Sequence, residues 1–260
     1  MTNDPLYQMN PQGRFSDRAE DYAKYRPSYP AKAIDCILEG LDEPSKLIAA
    51  DIGAGTGISS RLLADRGVKV VAIEPNASMR QVAEAHPLVE FCDGSAENTQ
   101  LPNNFVDLVT CFQSFHWFNP EPTLIEFARI LKPQGKLAAI WNNRDREDRF
   151  TAEYSHLIQI FSNHQSELRY GTEKFIRETS LFSTVTQLVF PSQQALNRDS
   201  LIGRVMSTSY MPKTRQVIEE LTIKLRELYD KYCDNQNLVY LRYKTTIYLT
   251  SLLASTNQPN

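Results

Sequence analysis

The feature that most constrains the fold is a glycine-rich segment between an apolar run and a helical pattern. Residues 46–67 read KLIAADIGAGTGISSRLLADRG. The apolar run up to Asp51 predicts a buried strand, and the alternating glycines let the backbone approach a ligand where a Cβ would collide. The pattern after Gly57 predicts a helix that ends at Gly67. A strand, a glycine turn and a helix in this order can hold a dinucleotide, a nucleoside triphosphate or an adenosyl group.

Strand-like segments alternate with helical patterns through the first half of the chain. After the first strand, apolar and β-branched runs predict strands over 68–75, 88–94, 105–114 and 136–141. Strands that alternate with helices predict a parallel sheet covered by helices on both faces. The runs 184–190 and 238–250 would complete a doubly wound, seven-stranded, mostly parallel α/β sheet, with its binding crevice at the carboxyl ends of the strands.

The alternation breaks after the fifth strand, and this break sets the predicted division of the chain. Polar helical patterns follow there, so we expect an inserted helical cap over the crevice. The polar and aromatic N-terminal residues end in prolines, so we expect them to lie on the surface over the ligand site. The predicted parts are the N-terminal segment 1–30, the binding core 31–141, the cap 142–183 with 197–212, and the completion of the sheet, 184–196 with 213–260.

Charge and cysteine content narrow the classes of partner. The net charge is −3 without any block of like charge, which argues against a nucleic-acid or membrane-surface partner. The four cysteines form no CxxC pair, and no metal-ligand cluster emerges from them. The N-terminus lacks the apolar core of a signal peptide, and no apolar run is long enough to span a membrane. We therefore expect a cytoplasmic protein, monomeric or homodimeric, without a metal.

The spacing of the glycines separates the possible ligands. The segment lacks the lysine of a G-x-x-x-x-G-K-[ST] loop, which excludes a nucleoside triphosphatase. Ile58 stands where the third glycine of the dinucleotide pattern G-x-G-x-x-G belongs. Asp51, at the start of the loop, would repel a pyrophosphate but suits a ligand that carries a positive charge. These features favour a cationic adenosyl ligand over NAD.

Several segments resemble the class I S-adenosylmethionine-dependent methyltransferases. The pattern D-I-G-A-G-T-G at 51–57 is similar to their motif I, and DGSAENTQLPNNFVDLV at 93–109 is similar to the segment that holds the adenine. CFQSFHWF at 111–118 resembles the methyltransferase type 11 group, whose leader and cap are similar to residues 15–30 and 200–212. The resemblance implies a Rossmann-like methyltransferase fold that binds S-adenosyl-L-methionine and releases S-adenosyl-L-homocysteine.

The resemblance also assigns roles at the cofactor. Glu74 ends the second strand, where the family places an acid that accepts hydrogen bonds from both ribose hydroxyls. Ser95 and Ala96 would contact the adenine, although many members carry an aspartate at the position of Ser95. The candidate cofactor-binding residues are Asp51, Gly53, Ala54, Gly55, Gly57, Glu74, Pro75, Ser95, Ala96, Gln113, Tyr22 and Arg26.

Residues of the N-terminal segment are candidates for the methionine end of the cofactor. Tyr22 or Phe15 would present a ring face to the sulfonium, which attracts a cation. Arg26 would pair with the methionine carboxylate. The alternative roles are packing under a loop for the aromatic residues and capping of a loop for Arg26.

The chemistry of the acceptor is open in the sequence. His116 follows the fourth strand and is the candidate general base; the alternative is a histidine that anchors its loop by hydrogen bonding. Aromatic residues suit a small, partly apolar acceptor, and the candidate substrate-pocket residues are Phe15, Trp117, Phe118, Trp141 and Tyr210. The segment at 113–116 lacks the [DNS]-P-P-[YFW] motif of enzymes that methylate nucleic-acid bases.

The sequence predicts a methyltransferase that acts on a hydroxyl or carboxylate oxygen of a small molecule. Two other functions stay open. One is a catalytically inactive, adenosyl-binding regulatory protein; the other, less favoured by Asp51 and by the glycine spacing, is an NAD-dependent oxidoreductase.

Overall fold

Strands and helices alternate along the chain in the structure, a computed structural model that describes residues 6–8, 19–162, 171–208, 210–211 and 214–253. The strands are β1 (Ile48–Ile52), β2 (Lys69–Ile73), β3 (Val89–Cys92), β4 (Val106–Phe112), β5 (Leu131–Arg144), β6 (Thr186–Leu196) and β7 (Val239–Ser251). The α-helices are α1 (Ala19–Tyr25), α2 (Ala31–Leu38), α3 (Ile58–Ala64), α4 (Ala77–Gln81), α5 (Pro120–Ile130), α6 (Arg149–Phe161), α7 (Lys174–Glu178), α8 (Arg198–Met206) and α9 (Arg215–Tyr232). Short 3-10 turns lie at Leu6–Gln8, Pro44–Lys46 and Phe115–Trp117.

The strands form one seven-stranded sheet in the order β3-β2-β1-β4-β5-β7-β6. The neighbours from β3 to β5 are parallel, and β7 is antiparallel to both β5 and β6. Ile52 pairs with Ile73, and Ile73 pairs with Cys92, so that β1, β2 and β3 end at the same level. The predicted doubly wound, seven-stranded, mostly parallel sheet is confirmed.

Both faces of the sheet carry an apolar core. Successive residues of β4 face opposite sides: Leu108 packs with Ile34 and Leu63 under α2 and α3, whereas Val109 packs with Phe127 of α5. These five side chains are completely or almost completely buried. Burial on both faces explains why the central strands read as continuous apolar runs rather than as alternating ones.

The helices after β5 form a third apolar cluster with the far ends of β6 and β7. Ile158 of α6, Leu201 of α8 and Leu225 of α9 are buried there against Leu241 of β7. The predicted division placed 213–260 in the completion of the sheet. In the structure, the apolar stripe of α9 packs on α6 and α8 rather than on the sheet strands of that segment alone. β5 also continues three residues past Trp141, to Arg144.

None of the helices in the described part of the chain is both long and apolar enough to cross a membrane.

Candidate active site

The glycine loop after β1 leaves the sheet in a backbone conformation that requires glycine. Gly53 has φ +67°, and a Cβ there would lie 2.7 Å from the Cβ of Ser114. The Gly53 N–H donates to the carbonyl of Ile73 at 2.8 Å, which holds the loop on the end of β2. Gly55 has φ +59° and faces Met79 and Tyr22. The glycines therefore bring the backbone between β2 and the loop after β4.

A cavity of about 590 Å³ lies at the carboxyl ends of β1 to β4. The candidate residues that line it are Tyr22, Gly53, Gly55, Glu74, Pro75, Ser95, Ala96, Gln113, Trp117 and Phe118. The loop after β3 is closed by backbone hydrogen bonds between Ser95 and Asn98. The structure thus brings together most of the residues that the sequence assigns to the cofactor, at the edge where parallel strands of this topology place ligands.

Glu74 connects the glycine loop to the end of β2. Its Oε2 accepts a hydrogen bond from the Gly55 N–H at 2.8 Å, and its Oε1 accepts one from the Asn76 N–H at 2.9 Å. Burial raises the pKa of Glu74, and these two backbone donors oppose that shift. A carboxylate has lone pairs for about four hydrogen bonds, so each oxygen can accept a further hydroxyl from the cavity.

Asp51 is a positioning residue and does not line the cavity, contrary to the expectation of direct contact. Its Oδ2 accepts hydrogen bonds from the hydroxyls of Ser59 and Ser60, both at 2.7 Å, and its Oδ1 accepts one from Thr110 at 3.0 Å. The side chain is fully buried. Burial raises the pKa of Asp51, while the three hydroxyls lower it. Asp51 therefore ties β1 to the start of α3 and to β4.

Gly57 is likewise outside the cavity. It is the N-cap of α3 with φ +73°, and a Cβ there would lie 2.7 Å from the ring of Phe91 on β3. Its role is close packing of the loop against the sheet.

A second, small cavity of about 20 Å³ adjoins the first and shares Tyr22, Gly53, Phe112 and Gln113 with it. Its further lining residues are Arg26, Pro27, Tyr29, Ala54, Thr56, Ile58, Ser59 and Asn142. Three buried polar atoms of this lining have no hydrogen-bond partner among the described residues: Arg26 Nε, Thr56 Oγ1 and Gln113 Oε1. Unpaired buried polar atoms are costly, so these three atoms can bond to a polar group of a ligand or to a water molecule.

Arg26 reaches this small cavity from the segment after α1. Its Nη2 donates to the carbonyl of Ser207 at 3.1 Å, and its guanidinium lies 4.5 Å from the centre of the Tyr22 ring. Burial and the nearby positive charge of Arg204 lower the pKa of Arg26.

His116 and Trp141 do not line either cavity. Both are buried, and the Trp141 Nε1–H donates to His116 Nδ1 at 3.2 Å. Trp141 also packs on Phe115 and Tyr248 in the core, which corrects its assignment to the substrate pocket. With Nδ1 used as an acceptor, the neutral imidazole carries its proton on Nε2 and has no free lone pair for a proton from a substrate. This geometry favours the loop-anchoring alternative.

The other two aromatic candidates lie elsewhere. Phe15 falls outside the described residues. Tyr210 is half-buried at the edge of the third apolar cluster, the one formed by α6, α8 and α9, and does not line either cavity.

The sequence is similar to known proteins over this region. A sequence model described as a methyltransferase domain matches residues 50–139. Residues 50–139 of the chain are therefore similar to a methyltransferase domain. An uncharacterized methyltransferase of Mycobacterium tuberculosis H37Rv is 37% identical over 145 residues, which are 55% of this chain and 58% of that protein. One of Schizosaccharomyces pombe is 34% identical over 147 residues, 56% of this chain and 59% of that protein. The chain thus spans somewhat more than half the length of these relatives.

Solved structures share the fold of this chain over most of its length. A crystal structure from Anabaena variabilis, provisionally named a methyltransferase of an antibiotic biosynthesis pathway, superposes with a TM-score of 0.66 at 24% identity. The superposition covers 88% of this chain and 99% of that one. A structure from Anaeromyxobacter dehalogenans, provisionally named a type II methyltransferase, gives a TM-score of 0.62 at 22% identity.

The larger cavity also has lining residues that the sequence analysis missed. They are Tyr7, Gln8, Met79, Gly94, Glu97, Phe112, Ser114 and Asn119. Met79 could have been found from the sequence, because Asn76 is a residue type that favours the N-cap of a helix. In the structure, the Asn76 side chain accepts a hydrogen bond from the Met79 N–H, which fixes Met79 in the first turn of α4. Tyr7 and Gln8 could not be found in this way, since only the tertiary contact of Leu6–Gln8 with Phe115–Trp117 brings them to the site.

Proposed function

We propose that this chain binds S-adenosyl-L-methionine across the two adjoining cavities and transfers its methyl group to a small molecule. The observation that carries the proposal is that a cavity of the size of an adenosine adjoins the second, small cavity, which we call the annex. The larger cavity offers Glu74 for a vicinal diol and apolar contacts from Met79 and Ala96. The annex, between the glycine loop and Arg26, holds the unpaired polar atoms.

The residues of the annex fit the methionine end of this cofactor. Arg26 Nε and the Thr56 hydroxyl can both donate hydrogen bonds to a carboxylate, and Gln113 Oε1 can accept one from an ammonium group. The ring of Tyr22 borders both cavities and stacks under the Arg26 guanidinium, so it lies between the two ends of the ligand. Where a pyrophosphate would need backbone donors and a third glycine, the chain has Ile58.

The cofactor supplies an activated methyl group, and the protein contributes position and exclusion of water. Gly53 and Gly55 allow the backbone to approach it closely. Trp117 and Phe118 line the cavity and give its wall an apolar surface that excludes water. Asp51 and His116 hold the loops that carry these residues and take no proton from the acceptor.

A small acceptor is consistent with the closed end of the site. The turn at Leu6–Gln8 contacts the turn at Phe115–Trp117, and the cap helices pack behind the N-terminal segment. Such an arrangement leaves room for a compact molecule rather than for a duplex or a folded protein. We place the acceptor between the glycine loop and the cap, and keep a hydroxyl or carboxylate oxygen as the expected methylated atom.

Glu74→Gln tests the cofactor site. The amide can accept only at its oxygen, so its NH₂ group faces one of the two backbone donors that Glu74 now satisfies. Loss of charge-assisted hydrogen bonds predicts binding of S-adenosyl-L-homocysteine that is weaker by about 10- to 100-fold in calorimetry. Glu90→Gln, at an exposed acid on the neighbouring strand β3, is the matched control and should bind like the wild type.

Turnover separates an enzyme from a regulatory protein. Purified wild type is incubated with S-adenosyl-L-methionine and a panel of small metabolites, and S-adenosyl-L-homocysteine production is measured. Production that depends on one acceptor and falls in Glu74→Gln supports the proposal. Tight cofactor binding without production in any arm would favour the regulatory alternative.

A further inference from the structure

Arg204 on α8 is a buried cation that has no carboxylate partner among the described residues. Arg204 is only 7% exposed, and its Nε and Nη1 atoms have no hydrogen-bond partner among the described residues. Arg204 also takes part in none of the ion pairs that those residues form. A guanidinium presents five donors in a rigid fork that matches carboxylate and phosphate oxygens.

Two more arginines come near α8 or the tyrosines beside Arg204. Arg26, after α1, donates from Nη2 to the carbonyl of Ser207, the C-cap residue of α8, at 3.1 Å, and the charge of Arg204 acts on it. Arg144, at the end of β5, lies 5.6 Å over the ring of Tyr154, and Tyr154 is one of the tyrosines that surround Arg204. Gly203 lets α1 pack closely on α8, because a Cβ at this position would collide with the ring of Tyr25.

The neighbours of Arg204 are hydroxyl groups rather than acids. Tyr154 of α6, Tyr210 after α8 and Tyr243 of β7 all act on its charge. Neutral phenols orient dipoles but do not neutralise a guanidinium. A buried charge that lacks a counter-ion destabilises the free protein, and nearby like charges add to that cost. Tyr243 also forms a hydrogen bond with the guanidinium, and the Nε and Nη1 donors remain for an anion.

We propose that Arg204, with Arg26 and Arg144, forms a site for an anionic oxygen group, a carboxylate or a phosphate, on the methyl acceptor. This proposal rests on the methyltransferase function proposed above and names the acceptor as an acidic small molecule. Arg26 borders the annex of the cofactor cavity and reaches Ser207, the C-cap residue of the helix that carries Arg204. The anionic group is therefore held on the side of the annex that faces α8, and this orients the rest of the acceptor towards the methyl group.

Thermal melting of the free and ligand-loaded protein tests this site. The variants are Arg204→Met, which removes the charge at similar volume, Arg204→Lys, which keeps it, and Arg198→Met, an exposed control on the same helix. Each is melted alone and with S-adenosyl-L-homocysteine, malonate, malonamide or inorganic phosphate. Malonate and malonamide have the same size and differ in charge.

The site predicts a distinct pattern of shifts. Each shift is measured against the melting temperature of the same variant without ligand. Malonate should stabilise the wild type and Arg198→Met, and its apparent affinity should fall about tenfold or more in Arg204→Met. Arg204→Lys should retain part of the malonate shift, and malonamide should give none. A phosphate shift larger than that of malonate would support the site and assign it to phosphorylated acceptors.

The same melts separate the two proposals. S-adenosyl-L-homocysteine should stabilise the wild type and Arg204→Met equally. Its failure to stabilise either protein would contradict the proposed function. Equal malonate shifts in the wild type and Arg204→Met would overturn the anion site, as would a malonamide shift equal to that of malonate. Loss of the S-adenosyl-L-homocysteine shift in Arg204→Met, with malonate binding intact, would instead give Arg204 to the methionine carboxylate and also overturn the proposal.

Discussion

Gly53→Ala probes the contact between the two loops that form the site. The new methyl group would lie 2.7 Å from Ser114 Cβ and 3.1 Å from Phe118 Cζ, and φ at this position is +67°. Carbon atoms pack at about 3.5–4.0 Å, so the loop after β4 must move by roughly 1 Å. Ser114 resists this movement because its hydroxyl donates to the Ile52 carbonyl at 2.6 Å.

The cost of this substitution can be divided into two parts. The left-handed backbone contributes about 1–2 kcal/mol, and overpacking against Ser114 and Phe118 contributes about 1–3 kcal/mol. Gly171→Ala isolates the first part, since Gly171 has φ +82° and a Cβ there meets no described atom within 4 Å. We therefore expect Gly53→Ala to lose about 2–5 kcal/mol of unfolding free energy, and Gly171→Ala about 1–2 kcal/mol.

Chemical denaturation and calorimetry measure the two consequences. Gly53→Ala should also bind S-adenosyl-L-homocysteine at least about tenfold more weakly, because Gly53, Ser114 and Phe118 all line the cavity. Gly171→Ala should bind it like the wild type. If the two variants lost equal stability, and both kept the affinity of the wild type, the reasoning about the loop contact would be refuted.

Two further predictions concern residues that hold the loops. Burial raises the pKa of Glu126, but hydrogen bonds from Arg129 and Thr99 outweigh it and hold that pKa below its ordinary value. Its stabilisation is therefore present above the unfolded pKa of about 4.3 and is lost as the pH falls through the folded pKa. At neutral pH the unfolding free energy of Glu126→Gln should be about 1.5–3 kcal/mol lower than that of the exposed control Glu121→Gln. This difference should shrink as the pH is lowered. A difference that stayed constant with pH would contradict the linkage. His116→Gln should lose about 1 kcal/mol of stability with the Trp141 hydrogen bond and keep turnover within about fivefold, whereas a loss of about a hundredfold or more would restore the general-base role.

The fold could be predicted where the information is local. β1 to β4 are continuous apolar runs bounded by glycine, proline or polar residues, and such runs identify buried parallel strands. The packing of α9 could not be predicted in this way. Its apolar stripe indicates a helix with one buried face, but the choice between the sheet and the cap depends on Leu201 and Ile158, which lie on other helices.

The candidate site shows the same contrast between local and long-range information. Glu74 and Gly55 meet because each ends or follows a strand of the same parallel sheet, so that their proximity is a property of the topology. The role of Asp51 depended on Thr110, which lies 59 positions away in the sequence. The guanidinium of Arg26 meets the Ser207 carbonyl across 181 positions. A single sequence contains no signal for contacts of that separation, and for this reason the cluster around Arg204 emerged only from the structure.

Titration calorimetry of the wild type with S-adenosyl-L-homocysteine, followed by NAD, tests the central claim most directly. Glu74, the annex beside Arg26 and the ring of Tyr22 predict one site per chain for S-adenosyl-L-homocysteine. Ile58 in place of a third glycine predicts no binding heat from NAD. Saturable binding of NAD without binding of S-adenosyl-L-homocysteine would contradict the account.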